Sequence, residues 1–138
     1  MIDFTSEFGQ RVQKRLETEP VIWITTVFPD GTPQPNPVWF YWDGESVLIY
    51  TRPGSIKLKN LTRNPRVSLN FEGATATGGD VVIFHGIARL EPENPTQHPG
   101  YSEKYATIAM EQWKVTMQDL FKEYSILIRI TLEKVRGF

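Results

Sequence analysis

The stretch Tyr50-Thr51-Arg52-Pro53-Gly54-Ser55-Ile56-Lys57-Leu58-Lys59-Asn60-Leu61-Thr62-Arg63-Asn64-Pro65 decides how the chain is read. It spells the end of a strand, a tight Pro-Gly turn, and a short helix stopped by Asn-Pro. Ser55 is placed to be the N-cap, its hydroxyl accepting from a free backbone N–H one turn on. Lys57 and Lys59 then fall in the first turns, where the helix dipole disfavours cations by about 0.3–1 kcal/mol each. Free N–H groups, a hydroxyl and two ammonium groups at one helix end suit an anion, phosphate above all. The competing reading is a solvated surface helix whose lysines contact only water.

Outward from this stretch, the elements follow in order. Phe4, Phe8, Val12 and Leu16 recur every four residues and predict an amphipathic helix from Ser6 to Glu19, ended by Pro20. Val21 to Val27 is β-branched and aromatic, hence a strand, and Pro29-Asp30-Gly31-Thr32 turns it into a hairpin partner from Gln34 to Trp42. Pro35 and Pro37 cannot donate to a ladder, so the first half of that partner belongs on an edge or bulge. Asp43-Gly44 leads into a strand from Ser46 to Thr51. Beyond the helix come a strand from Arg66 to Phe71, a loop from Gly73 to Gly79, and a long strand from Asp80 to Leu90 with Gly86 as its bulge. Glu91 to Gly100 reads as irregular loop. Tyr101 to Glu123 reads as helix in two pieces, with Tyr101, Tyr105, Ile108 and Ala109 on one stripe. A last strand puts Ile126, Ile128, Ile130 and Leu132 on one face. Five or six antiparallel strands with three helical segments predict a mainly β fold, a small closed barrel capped by helices.

Composition limits the function classes. The 138 residues suit one domain, spanning 1–138, with a proper core. Fifteen basic and sixteen acidic residues give a net charge of −1, so no global field draws in nucleic acid or an anionic membrane, and any anion site must be local. The absence of cysteine removes disulfides, thiolate ligands and cysteine nucleophiles. No apolar run approaches about 18 residues, and Met1 to Glu7 lacks a signal-peptide pattern, so a cytoplasmic protein is expected.

Few side chains announce chemistry singly. His85 and His98 lack a second histidine at metal-ligand spacing and read as structural, so no metal is expected. Asp30, Asp43 and Glu45 are turn residues. Trp39, Phe40, Tyr41 and Trp42 could stack on a planar ligand or serve as core and interface, and Trp113 carries the same ambiguity. In combination, a Pro-interrupted aromatic strand beside a Ser/Lys helix start suits a flat heteroaromatic ring and its phosphate.

These residues also carry a family likeness. Asn36-Pro37-Val38-Trp39-Phe40, Tyr50-Thr51, Ser55-x-Lys57-x-x-Asn60-Leu61-x-x-Asn64-Pro65-Arg66-Val67, Gly86-x-Ala88 and Lys134-Val135-Arg136-Gly137-Phe138 resemble the flavin- and deazaflavin-binding split-barrel superfamily named after pyridoxamine 5′-phosphate oxidase. The resemblance covers nearly the whole chain. It implies a six-stranded antiparallel split β-barrel, a homodimer with the cofactor in the subunit interface. It further implies that Tyr50 and Thr51 contact the cofactor and that Ser55 and Lys57 hold its phosphate. Lys59 and Asn60 would lie beside it, and Pro37, Val38 and Trp39 would line the ring, partly through backbone groups.

The departures point within the superfamily. Where pyridoxamine phosphate oxidases carry an arginine between the phosphate-binding serine and lysine, this chain has Ile56. It has Asn36-Pro37-Val38-Trp39 in place of an Arg-initiated apolar strand, and ends without the segment that binds pyridoxal phosphate. Vitamin B6 oxidation is therefore not expected, and the resemblance is nearest to the short branch that uses the deazaflavin coenzyme F420, with FMN as the alternative. The implied activity is hydride transfer between the bound ring and a small unsaturated or quinone-like substrate. No catalytic residue is assigned; Tyr50 and an ordered water both stand as proton donors. A carrier or sensor that binds flavin or haem without turnover is the alternative of another class, and an empty barrel dimer is the blandest.

Overall fold

A computed structural model describes residues 2–73, 75–91 and 96–138. Among them the elements run α1 (Glu7–Thr18), β1 (Ile22–Val27), β2 (Pro33–Val38), β3 (Tyr41–Trp42), β4 (Ser46–Thr51), α2 (Ile56–Arg63), β5 (Arg66–Asn70), β6 (Val82–Glu91), α3 (Pro99–Trp113), α4 (Met117–Glu123) and β7 (Ile126–Gly137). The expected Glu91–Gly100 loop falls partly on residues 92–95, outside the described residues. These strands form a seven-stranded sheet in the order β2-β1-β5-β6-β7-β4-β3, and each neighbouring pair is antiparallel.

That order dictates the shape. β2 and β3 stand at opposite ends of the sheet, yet only Trp39 and Phe40 separate them in the chain. A flat sheet of this width would hold its outer strands about 29 Å apart, whereas the step from Val38 to Tyr41 spans at most about 11 Å. The sheet therefore curls back on itself into a split barrel, with the corner at Trp39-Phe40. The six-stranded expectation becomes seven strands because Gln34–Trp42 breaks at that corner instead of running as one strand.

The barrel also stays open where closure was expected. Pro33, Pro35 and Pro37 pair with Val27, Thr25 and Trp23, so the prolines occupy alternate positions of β2. Lacking an N–H, each sits where its nitrogen faces away from the ladder, leaving an outer edge of carbonyls without donors. Such an edge cannot template another strand. β2 is the edge strand that its prolines require.

Two cores result. Inside the curl, Ile22, Ile24, Leu69, Phe84, Val47, Ile49, Ile128 and Ile130 are fully buried with Val12 and Leu16 of α1, which plugs one opening. α1 is capped by Ser6, whose Oγ accepts from the Gly9 N–H at 2.9 Å. Outside the curl, α3 and α4 cover Leu48, Tyr50 and Leu127 with Tyr101, Tyr105, Ala109 and Met117. This outer layer explains two departures from the expected pattern. Leu127, on the opposite face from Ile128, is buried, while Ile126 and Leu132 are only half-buried. Ile108, expected on the buried stripe of α3, is exposed, because the helix turns only Tyr101, Tyr105 and Ala109 to the sheet.

The bulge expected at Gly86 is present. The register steps from His85 opposite Lys134 to Gly86 opposite Leu132, so Glu133 is the extra residue of β7. A Cβ on Gly86 would lie 2.6 Å from the Thr131 carbonyl oxygen, which is why glycine stands there.

Candidate functional site

α2 begins as its sequence requires. Ser55 is the N-cap in extended conformation, and its Oγ accepts from the Leu58 N–H at 3.3 Å and from the Thr51 Oγ1 hydroxyl at 3.1 Å. Two acceptor roles leave the Ser55 proton available to donate outward. The Ile56 and Lys57 amides, orphans of the first helical turn, have no hydrogen-bond partner among the described residues. Gly54, at φ +76°, makes the turn from β4 into the helix, a conformation that disfavours any side chain.

The two lysines of this helix separate. Positions two apart face nearly opposite sides of a helix. Lys59 is exposed, whereas Lys57 is half-buried along the wall of a cavity of about 630 Å³. Burial pushes the Lys57 ammonium below its usual range, and among the described residues it forms no ion pair. The other charges on the cavity wall, Arg52 and Glu123, neutralise each other at 3.1 Å across the mouth, and Arg52 also lies over the Tyr124 ring at 4.9 Å. Among the described residues, Lys57 is thus the one charge on the cavity wall without an ion-pair partner.

The rest of the wall is mostly apolar. Pro37, Val38 and Trp39 come from the barrel corner, Tyr50 and Thr51 from β4, and Tyr101, Trp113, Met117 and Leu120 from the helical pair. The Trp39 indole stacks on Tyr105 at 4.2 Å between centroids and 2° between planes, and Trp113 tilts against it at 5.6 Å. The Tyr50 hydroxyl accepts from the His98 N–H at 2.8 Å, and burial pushes its pKa above the usual phenol value, so it stays protonated at neutral pH. Tyr101 is raised further by burial and stays neutral as well.

Of the nine residues expected to contact the cofactor, six line one cavity: Pro37, Val38, Trp39, Tyr50, Thr51 and Lys57. Ser55 sits behind them as cap and partner of Thr51. Asn60 turns the other way: it is buried, and its Nδ2 donates to Thr26 Oγ1 at 3.0 Å, tying α2 to β1. Lys59 faces solvent. The helical wall carries little sequence signal: Trp113 stands out as an aromatic, but Met117, Leu120 and Tyr124 show nothing beyond ordinary amphipathic spacing. The histidines act locally: His98 Nδ1 accepts from the Gly100 N–H at 2.9 Å to cap α3, and His85 is exposed on β6 beside Arg136. Among the described residues, no three His, Cys, Asp or Glu side chains gather as a metal site.

The donor set fits a phosphorylated planar cofactor. A half-buried ammonium, unpaired among the described residues, and orphan helix amides suit an anion, and the aromatic side chains of the same wall suit a flat ring. The volume falls in the range of about 300–1,000 Å³ usual for small-molecule sites.

Known proteins agree with this architecture. A protein provisionally described as pyridoxamine 5′-phosphate oxidase from Listeria innocua superposes with a TM-score of 0.67 at 20% identity, over 96% of this chain and 98% of that one. HutZ, the heme storage protein from Vibrio cholerae, gives 0.67 at 15% identity over 96% and 95%. A structure described as an F420 reductase gives 0.60 at 19% identity over 90% and 94%. At these identities the likeness is one of fold. No curated protein matches the sequence. The family profile described as pyridoxamine 5′-phosphate oxidase matches residues 8–137, and the chain belongs to that family.

Proposed function

We propose that the protein is an oxidoreductase that binds the deazaflavin coenzyme F420, with FMN as the alternative, and serves hydride transfer to a small unsaturated or quinone-like substrate. The observation that carries this reading is that Lys57, without an ion pair among the described residues, and the stacked Trp39 line one cavity. Lys57 and the amides at the start of α2 would hold the phosphate, assisted by the Ser55 hydroxyl. Pro37, Val38 and Trp39 would pack against the ring, and Tyr50 and Thr51 would flank it from β4. Lys59 and Asn60, outside the cavity wall, are assigned no contact here.

A bound flavin or deazaflavin supplies the hydride chemistry itself. The chain's residues bind, orient and exclude water. Tyr50 keeps its proton and is held by the His98 amide, so it, or an ordered water, would serve as the proton donor. Vitamin B6 oxidation is disfavoured by Ile56, an exposed apolar residue at N1 of α2 where that activity calls for arginine.

The protein is further proposed to act as a homodimer with the cofactor in the subunit interface. Light scattering reads the oligomeric state: a monomer in the presence of saturating cofactor contradicts this arrangement. A second reading, a flavin or haem carrier without turnover, draws support from the fold shared with HutZ. Oxidation of the reduced cofactor by a panel of quinones and activated alkenes separates the two. Binding with no acceptor-dependent oxidation favours the carrier; haem binding that displaces flavin favours it more strongly.

A further inference from the structure

The Trp39 indole and Val21 both line the cavity, and the peptides beside them converge on one hydroxyl. The Phe40 N–H donates to Tyr105 Oη at 2.8 Å. The same hydroxyl lies 2.8 Å from the Pro20 carbonyl oxygen and 2.8 Å from the Phe40 carbonyl oxygen. A phenol has one proton to donate, so it cannot serve both carbonyls at once. Lys104 resolves the competition. Its Nζ donates to the Phe40 carbonyl at 2.8 Å while lying 3.8 Å above the Phe40 ring, which leaves the Tyr105 proton for Pro20.

Tyr105 is fully buried, and its ring is the surface on which Trp39 lies flat. One side chain therefore fixes the corner at Phe40, the entry to β1 at Pro20, and the plane of the indole between them. We propose that Tyr105 is a positioning residue for the ligand ring: through the Phe40 and Pro20 peptides it orients Trp39 and Val21, with Lys104 as the partner that frees its proton. The ligand half of this inference rests on the reading of Trp39 as part of the ring site.

The test uses Tyr105→Phe, which keeps the stacking ring and removes the hydroxyl, and Lys104→Met, which keeps the apolar stem and removes the donor. The indole N–H resonance of Trp39, assigned by its loss in Trp39→Phe, reports its orientation without any ligand. Riboflavin, a ring without phosphate, and inorganic phosphate then probe ring and anion binding separately. Tyr105→Phe is expected to move the Trp39 resonance and weaken riboflavin binding about fivefold, with phosphate affinity nearly unchanged; the thermal midpoint falls, because the Phe40 N–H and the Pro20 carbonyl lose their partner. Lys104→Met is expected to do the same to a smaller degree, and carries the test alone should Tyr105→Phe not fold. A Trp39 resonance and riboflavin affinity that stay put overturn the proposal. So do riboflavin and phosphate affinities that fall together, since that marks a merely structural role. If the wild-type chain binds neither riboflavin nor FMN, the ring-site reading and the ligand half fall, while the resonance still decides whether Tyr105 orients Trp39.

Discussion

The two cores of this molecule are built from different chemistry. The inner one, within the curled sheet, is aliphatic with Phe40, Phe71 and Phe84, and its buried Thr26 and Asn60 side chains satisfy each other. The outer one, between the sheet and α3–α4, is organised by Tyr50, Tyr101 and Tyr105. Phenylalanine packs; tyrosine packs and keeps a hydroxyl that must be satisfied. The Tyr50 hydroxyl takes the His98 amide and that of Tyr105 takes Phe40 and Pro20, so the outer core places polar atoms while it buries rings. The cavity opens beside the outer core. The inner core holds the scaffold, and the outer core holds the site.

The comparison breaks if damage to the inner core acts selectively on the site. Phe84→Ala, at a fully buried position of the barrel, should cost about 3–5 kcal/mol of stability in urea titration. Ligand affinity of the fraction that remains folded should stay the same. Asn60→Ala removes the tie between α2 and Thr26 and should cost about 1–3 kcal/mol by the same measurement.

Lys57→Ala should reverse that signature. Binding of a phosphate-bearing ligand should fall about tenfold at low salt, with the loss shrinking as salt rises. Stability should not drop, because burial already disfavours this ammonium in the folded chain. Unchanged affinity in a calorimetric titration would remove the anion-site argument.

Lys104 provides a pH test of the outer core. Burial lowers it from 10.5 to about 8. Between those values the unfolded chain binds more protons than the folded one, so stability must rise with pH across that window. Below pH 8 both states are protonated and this contribution is flat. In Lys104→Met the rise between pH 8 and 10.5 should shrink, as read from urea midpoints at stepped pH. The smallest effect belongs to the cavity mouth: Glu123→Gln breaks an exposed ion pair and should change stability by under about 0.5 kcal/mol.

Much of this was legible in the chain. Strand identity followed from β-branched runs, the edge position of β2 from its prolines, the bulge from Gly86, and the helix start from Pro-Gly-Ser. These signals are local, and local chemistry enforces them. The break at Trp39-Phe40 was not legible, because the corner goes with the curl of the sheet and is held by contacts distant in the chain, such as the Tyr105 hydroxyl 65 residues away. The divergence of Lys57 from Lys59 was implicit in helical geometry, yet which of the two meets the cavity depends on where α3–α4 packs. Asn60 reads identically in sequence as a ligand contact or a structural tie, and only the position of Thr26 shows the tie. The helical wall of the cavity carries ordinary amphipathic spacing, so its part in the site emerges only in three dimensions.

The most direct test of the central claim is a side-by-side titration of F420 and FMN into the wild-type chain and Lys57→Ala, followed by tryptophan fluorescence quenching. The account predicts that F420 binds the wild type more tightly than FMN and that Lys57→Ala weakens it about tenfold. Binding of FMN alone would move the protein out of the deazaflavin branch. Binding of neither, or an affinity indifferent to Lys57, would contradict the assignment of this cavity as a flavin-type site.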